Sequence, residues 1–292
     1  MPELIPVEVY AVSSAFFFSL RDIFIRLALR QATPLTGAIV VSALTCLFLL
    51  PVVLFHGSGL SLTWQGIGWF LLAGIAAPGL ALLFFFASIG RVGVTRAAPL
   101  AGTTPLFSLL IAIPFLGERP GVPLYVGTVL IVLGLMTLAW EGGRFRWRAQ
   151  GILFPLMAAL LWAISSVLRK LGMEEIDSAA FGGLMAVSAA LLVLTPSVRF
   201  FPEGNRWRLG LGSLPFLALA GLCMMGATFL YFFSLGQRTV GYVVPLLSIS
   251  PLFTLPLSFL FLGRLERITR AIVLGTLLVG GGVILITGME GR

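Results

Sequence analysis

The chain has 292 residues, of which 59% are hydrophobic and only 10% are charged. Soluble domains carry about 25% charged residues, so this composition excludes a soluble protein and indicates an integral membrane protein. The net charge of +8 does not indicate nucleic-acid binding, because the basic residues stand in short connections between apolar runs and not on a polar scaffold.

Ten apolar runs are long enough to cross a bilayer, which takes about 20 residues. Turn-forming and charged sequences such as Gly117-Glu118-Arg119-Pro120 separate them. In chain order the runs cover residues 7–29, 35–55, 66–89, 92–115, 121–140, 150–172, 179–199, 213–236, 240–262 and 269–288. The sequence therefore predicts an all-α integral membrane protein with ten transmembrane helices.

The first run contains charged residues at membrane depth. Asp22 has Arg26 one turn later on the same helix face, whereas Arg21 is expected to point elsewhere. Asp22 could accept a proton or contact a substrate amine, or it could form an ion pair with Arg26. All three side chains could also extend to the nearby membrane surface. Arg21 could attract a carboxylate or phosphate or pair with an acidic group of another helix, and the sequence leaves these alternatives open.

The fourth and ninth runs share a proline motif. At an offset of 146, Pro99 matches Pro245 and the segment 105–107 matches 251–253, each reading Pro-Leu-Phe. Two prolines six residues apart remove backbone donors and predict a kink in each helix. Paired interrupted helices in matching positions indicate a transporter's binding site, with the prolines as a hinge for alternating access.

Hydroxyl residues follow these prolines and are candidates for the same site. They could contact a solute, or they could satisfy the carbonyls that lost their donors. The residues are Thr103, Thr104, Ser248 and Ser250.

The repeat extends over both halves of the chain. Residues 127–130 match 275–278 at offset 148, and Gly74 and Gly79 match Gly221 and Gly226 at offset 147. Ala15–Leu27 aligns more loosely with Ala159–Leu171 at offset 144. The sequence thus predicts two related five-helix units, 1–145 and 146–292. Because five crossings are an odd number, the second unit would insert upside down, as an inverted repeat.

The distribution of Lys and Arg predicts the orientation. Connections after odd-numbered helices, with the ends of those helices, carry 14 basic residues, and the opposite side carries five, namely Arg119, Arg169, Lys170, Arg238 and Arg292. Because basic residues favour the cytoplasmic side, both termini are expected outside. The predicted location is a bacterial-type inner (plasma) membrane.

Aromatic residues recur at related positions of the first, third, sixth and eighth helices. Most are expected to pack or to face lipid, because consecutive side chains point in different directions. Trp162 and Tyr231 are better cavity candidates, since each has a polar group that needs a partner when buried. Phe18 and Phe84 complete the aromatic candidates.

These motifs together resemble the drug/metabolite transporter superfamily, of the ten-helix EamA-like kind. The resemblance rests on the repeat, the proline segments, Phe115-Leu116-Gly117-Glu118-Arg119 and the tryptophan-led segment 161–166. Phe18 and Arg21-Asp22 depart from the family pattern in the first helix, and Gly263-Arg264 departs from Gly-Glu in the ninth. The resemblance implies secondary transport of a small organic molecule, often export.

The favoured interpretation is a transporter for small amphipathic metabolites such as amino acids. Its expected partners are that solute, membrane lipids and protons, with no nucleic acid. A lipid flippase or scramblase is the alternative. An intramembrane enzyme is disfavoured, since the sequence contains no catalytic pair, metal-ligand cluster or nucleotide loop, and neither cofactor nor metal is expected.

Small residues complete the prediction. Gly127, Gly134, Gly275 and the run 280–282 are expected to allow close helix packing, as a scaffold or a dimer face. Cys46 and Cys223 are expected to be free thiols.

Overall fold

The computed structural model describes residues 6–56, 60–92, 97, 100–138, 149–200, 207–262 and 270–289. Within these ranges the chain is helical, and its one isolated β-bridge joins Ala32 to Leu209. The described ranges contain twelve α-helices, and three of the apolar runs, the third, the fourth and the ninth, are interrupted. They are α1 (Val7–Ala28), α2 (Pro34–His56), α3 (Trp64–Gly74), α4 (Ala81–Val92), α5 (Thr104–Leu116), α6 (Val122–Leu138), α7 (Ala149–Glu175), α8 (Ala179–Ser197), α9 (Leu214–Gln237), α10 (Val240–Leu247), α11 (Ser250–Leu262) and α12 (Arg270–Met289).

Where the structure describes them, the helical boundaries fall close to those predicted from the apolar runs. Among the described residues, six helical segments are long and apolar enough to cross a membrane, namely Pro34–Phe55, Trp64–Ile89, Ile152–Glu175, Ala179–Phe200, Leu211–Gln237 and Val240–Ser258. Three apolar helices are shorter, namely Thr104–Leu116, Val122–Leu138 and Val273–Gly288. The protein is therefore a multi-pass membrane protein, and the count of ten crossings stays a prediction.

The third run is broken at its middle. A π-helical turn, Ile75–Leu80, joins α3 to α4, and inside it Ala77 has an extended backbone (φ −152°, ψ 134°). Pro78 lacks a backbone donor, so the regular α-helical ladder cannot continue through this position. Because this turn contacts both α7 and α8, the freed carbonyls face protein.

The predicted kinks of the fourth and ninth runs are confirmed. Turn residues Gly102–Thr103 precede α5, and Ser248–Ile249 separate α10 from α11. The helices that follow, Thr104–Leu116 and Ser250–Leu262, begin and end at the repeat offset of 146. Equivalent prolines therefore break both runs at equivalent residues.

Packing joins the two halves of the chain. α1 packs on α9 and α11 of the second half, and its repeat counterpart α7 packs on α3, α4 and α5 of the first. α2 packs on α8, and α6 packs on α12. These last two contacts each pair an element with its own repeat counterpart, so the halves are interleaved and are not separate bodies.

Glycines explain the close contact of α6 with α12. A Cβ on Gly127 would lie 2.8 Å from the carbonyl of Gly282, and one on Gly134 would lie 2.8 Å from that of Gly275. The residue numbers rise along one helix as they fall along the other, so the two helices run antiparallel. The packing predicted for these four glycines is confirmed. A Cβ on Gly280 or Gly281 would meet nothing within 4 Å, so these two do not pack on α6, and their place in a dimer face stays a prediction.

Candidate functional site

The break in the third run exposes carbonyl groups to α7. The backbone N–H of Ala81 bonds to the carbonyls of Ala76 and Pro78, which leaves the Ala77 carbonyl without its helical donor. The Ser165 hydroxyl lies 2.9 Å from the Ala73 oxygen and 3.0 Å from the Ala77 oxygen. Arg169 Nη2 donates to the same Ala77 oxygen at 2.8 Å. Two side chains of α7 thus replace the missing backbone donors.

Arg169 is a cation deep in the bundle. It contacts Ala77, which lies near the middle of the stretch Trp64–Val92. The guanidinium carbon lies 5.1 Å from the ring centre of Tyr231 and 5.2 Å from that of Phe232. Arg169 Nε is enclosed and has no hydrogen-bond acceptor within the described part of the chain. The two ion pairs found there, Arg21–Asp22 and Lys170–Glu174, do not include Arg169.

Tyr231 meets this junction through its hydroxyl group, and Trp162 meets it through its backbone carbonyl. The Tyr231 hydroxyl donates to Ser166 Oγ at 2.8 Å, and Ser166 Oγ donates to the Trp162 carbonyl at 2.9 Å. The Trp162 ring lies 5.6 Å from that of Phe85 on α4. Aromatic rings of α4, α7 and α9 therefore surround the break.

Phe84 packs on a different part of α7. Its ring centre is 5.8 Å from that of Phe154 on α7, and Phe154 also carries the guanidinium of Arg91 over its face at 3.9 Å. The consecutive residues Phe84 and Phe85 therefore contact different residues of α7, as side chains that point in different directions should.

The charged residues of α1 form a second group. Arg21 Nη2 lies 2.6 Å from Asp22 Oδ1, and the Arg21 guanidinium stacks over Phe18 at 4.9 Å. Of the alternatives that the sequence leaves open, the Asp22–Arg26 ion pair is not formed, and Arg21 pairs with the adjacent residue of its own helix and not with another helix. The long Arg21 side chain bends back along the helix surface to the adjacent residue, Asp22, while Arg26 is exposed. The Asp22 side chain remains 47% exposed.

The proline segments place their hydroxyls on backbone carbonyls. Thr103 Oγ1 donates to the Leu100 carbonyl at 2.7 Å, and Ser248 Oγ donates to the Val244 carbonyl at 2.9 Å. Thr104 Oγ1 donates at 2.8 Å to the carbonyl of Ala101, whose helical donor Pro105 lacks. These hydroxyls thus donate hydrogen bonds to backbone carbonyls, and their oxygen atoms can still accept hydrogen bonds from a solute.

The remaining candidates lie on α10, on α11 and outside the described residues. Pro245 is buried in α10. The Ser250 carbonyl, at the start of α11, accepts a hydrogen bond from Ser19 of α1 at 2.7 Å. Pro99 falls outside the described residues, so its predicted role is open.

Hydrogen bonds join the two halves at one end of the bundle. Glu118, in the connection between α5 and α6, accepts hydrogen bonds from the backbone N–H groups of Val240 at 2.6 Å and Gly241 at 3.0 Å. It therefore caps the first turn of α10. Burial raises the pKa of the Glu118 carboxyl, while the two N–H donors and Lys170 lower it by a smaller amount. Tyr242 of α10 also donates to Glu8 at the start of α1.

Comparison with known proteins agrees with this architecture. The model of the EamA-like transporter family matches the chain twice, over residues 5–140 and 149–288. The chain belongs to the EamA-like transporter family. The two matches follow the repeat, and the family is consistent with the drug/metabolite transporter superfamily that the sequence resembles.

Relatives of this EamA-like protein add detail. A riboflavin transporter of Rhizobium johnstonii (strain DSM 114642 / LMG 32736 / 3841) is 33% identical over 104 residues, which are 35% of this chain and 33% of the relative. The chain thus matches about a third of the length of that relative. A crystal structure of a protein superimposes with a TM-score of 0.81 at 17% identity, covering 98% of each chain, and shows the shared fold.

Sequence reasoning missed Arg169 and Pro78. Arg169 stood near the end of a predicted span and was counted among the connecting residues, although α7 continues to Glu175. Pro78 stood in the middle of the third run, beside glycines that were recognised as repeat positions. A proline near the middle of one span and an arginine inside another are the signals that would have found this junction.

Proposed function

We propose that this EamA-like protein is a secondary transporter that exports small metabolites such as amino acids through a central cavity between two inverted repeats. The coincident breaks before Thr104 and Ser250 carry the proposal. Interrupted helices at matching positions of two repeats provide unpaired backbone groups for a ligand and flexible points for rearrangement.

The inverted arrangement is supported by helix direction. α6 and α12 are repeat counterparts and run antiparallel, as the contacts of Gly127 with Gly282 and of Gly134 with Gly275 require. α2 and α8 also run antiparallel, since Cys46 lies 3.5 Å from Ser188 while Leu49 lies beside Gly183. Counterparts with opposite directions fit two units that cross the membrane in opposite senses, with both termini outside as the basic residues predict.

Alternating access requires that the two ends open in turn. At the end where Glu118 caps α10, two contacts connect the halves, from Glu118 to α10 and from Tyr242 to Glu8. Towards the other end the Asp22 side chain is 47% exposed. We infer that the structure is closed at the predicted outer end, and that transport breaks the Glu118 and Glu8 contacts.

The solute should be small and amphipathic. Aromatic faces and hydroxyl groups surround the breaks. A multiply charged solute would need several cations, whereas Arg169 lies alone at the junction among the described residues and Arg21, on α1, is already paired with Asp22. The similarity to a riboflavin transporter supports a flat aromatic solute as a second candidate, because aromatic residues of α4, α7 and α9 could stack on it.

Proton coupling would depend on Asp22, the acidic residue placed on α1 beside Arg21. If protons drive transport through this carboxylate, Asp22→Asn removes the dependence of uptake on a pH gradient and leaves counterflow intact. Counterflow needs no driving force besides the solute gradient, so the two readouts separate coupling from binding. If the variant keeps the gradient dependence, Asp22 is not the coupling residue.

Counterflow in proteoliposomes tests the function. Vesicles preloaded with unlabelled L-phenylalanine, L-leucine or riboflavin are given a trace of the labelled solute, and transient accumulation is expected for at least one of them. Translocation of a headgroup-labelled lipid is measured in the same vesicles. Lipid translocation without solute counterflow would support the flippase or scramblase alternative and contradict the proposal.

A further inference from the structure

Arg169 holds a charge for which the described residues provide no counter-charge. A guanidinium has five N–H donors and cannot be deprotonated in a protein. Here Nη2 bonds to the Ala77 carbonyl, and Nε is enclosed without an acceptor within the described ranges. A buried cation without an anion costs free energy, and charged side chains inside a membrane are normally paired.

The surroundings of Arg169 suit a flat anionic group. Tyr231 and Phe232 place their rings 5.1 and 5.2 Å from the guanidinium carbon, on the α9 side. Ser166 lies one turn before Arg169. Its hydroxyl oxygen already accepts a hydrogen bond from the Tyr231 hydroxyl, so it does not compete for the guanidinium. The remaining donors of the fork can bind both oxygens of a carboxylate, which a guanidinium matches in geometry.

The repeat makes this cation specific to one half. At the offset of 144, Arg169 corresponds to Ile25, and Ser165 corresponds to Arg21. The two related positions make related contacts, because Ser165 bonds to Ala77 while Arg21 Nη1 lies 3.2 Å from Met224, the residue that matches Ala77 at offset 147. Arg21 is neutralised by Asp22, whereas Arg169 is not neutralised by any described carboxylate.

We propose that Arg169 binds the carboxylate of the transported solute, at the break in the third run. This inference rests on the proposed function, since it names the charged group of the solute that the cavity would take. The Ala77 carbonyl holds the guanidinium in place before the solute arrives. The amino group of an amino acid would then lie near the carbonyl and hydroxyl oxygens of the same junction.

Benzoate and benzamide test the site without requiring transport. They share shape and ring but differ in charge, and both are titrated against purified protein in lipid nanodiscs while thermal unfolding is recorded, with chloride balancing the ionic strength. Benzoate is expected to raise the melting temperature of the wild type, and benzamide is not. In Arg169→Gln the benzoate concentration needed for the same shift should rise about 10- to 100-fold. Arg199→Gln, which removes a charge from an exposed turn, should match the wild type.

The outcomes separate this inference from the proposed function. Equal responses of the wild type to benzoate and benzamide overturn it, and so does an unchanged benzoate response in Arg169→Gln. A larger, Arg169-dependent response to inorganic phosphate also overturns it, in favour of a phosphate site. If Arg169→Gln does not fold, Arg169→Lys replaces it and should lose part of the preference for benzoate. Counterflow without a preference for benzoate would support transport and contradict the carboxylate site. A preference for benzoate without counterflow would support the carboxylate site and contradict transport.

Discussion

Gly127 of α6 and Gly282 of α12 pack backbone against backbone across the two repeats. A Cβ on Gly282 would lie 2.6 Å from the Gly127 carbonyl oxygen, and a Cβ on Gly127 would lie 2.8 Å from the Gly282 carbonyl oxygen. Neither distance can accommodate a methyl group without moving a helix, so this contact fixes how the fifth helix of each half meets its counterpart.

Gly282→Ala is therefore expected to destabilise the protein by about 1–3 kcal/mol through overpacking. Gly280→Ala is the matched control, because it lies in the same helix and its Cβ would meet nothing within 4 Å. Thermal unfolding in nanodiscs compares the two. Equal melting temperatures for the two variants would show that α6 and α12 do not pack as described.

The Glu118 cap predicts a pH effect on stability. Because burial raises the pKa of the Glu118 carboxyl, the folded protein holds this proton more tightly than the unfolded chain. Its contribution to stability is therefore present at low pH and is lost as the pH rises through the raised pKa. The groups that act on it are Lys170, which lowers the pKa, and Glu174, which raises it.

Melting temperatures of the wild type and of Glu118→Gln measure this effect across mildly acidic to neutral pH. The difference between the two proteins isolates Glu118, since other groups titrate in both. The wild type should lose stability relative to the variant as the pH rises. A difference of the opposite sign, or one that does not change with pH, would show that burial does not control the pKa of the Glu118 carboxyl.

The proline break in the ninth run predicts a kinetic effect. Pro245→Ala supplies a backbone donor that α10 lacks, and the stiffer helix should slow counterflow severalfold with little change in the concentration for half-maximal rate. Pro51→Ala is the control, because Pro51 lies inside α2, away from the breaks. Equal counterflow rates in Pro245→Ala and the wild type would contradict a hinge at Pro245.

The Arg21–Asp22 pair predicts a small coupling energy. Its side chains are 24% and 47% exposed, so solvent screens the attraction. A double-mutant cycle with Arg21→Gln and Asp22→Asn, measured by thermal unfolding, should give a coupling of about 1 kcal/mol or less. A coupling several times larger would mean that the pair is enclosed in the membrane-embedded protein.

The sequence predicted the helices well, because membrane helices are determined by local hydropathy and proline position. The breaks before Thr104 and Ser250 follow from prolines that could be read directly. Side-chain partners were harder to predict. Helical spacing favours a pair between Asp22 and Arg26, one turn later, whereas the structure pairs Asp22 with the adjacent Arg21.

The junction at Arg169 could not be predicted from one helix alone. It depends on three segments that come together in space, since Pro78 frees a carbonyl, Ser165 and Arg169 reach it from α7, and Tyr231 covers the guanidinium from α9. The positive-inside rule assigns a basic residue near a helix end to the connection. Only tertiary packing shows that this side chain extends back into the bundle.

A cross-link across the Glu118 end tests the central claim, that the halves separate there during transport. Arg119 and Thr239 are exposed residues beside Glu118 and Val240, so Arg119→Cys with Thr239→Cys can be joined by a short, reducible thiol reagent after Cys46 and Cys223 are replaced. The cross-linked protein should lose counterflow, the treated single-cysteine variants should keep it, and reduction should restore it. Counterflow at the untreated rate while the link is intact would contradict the account.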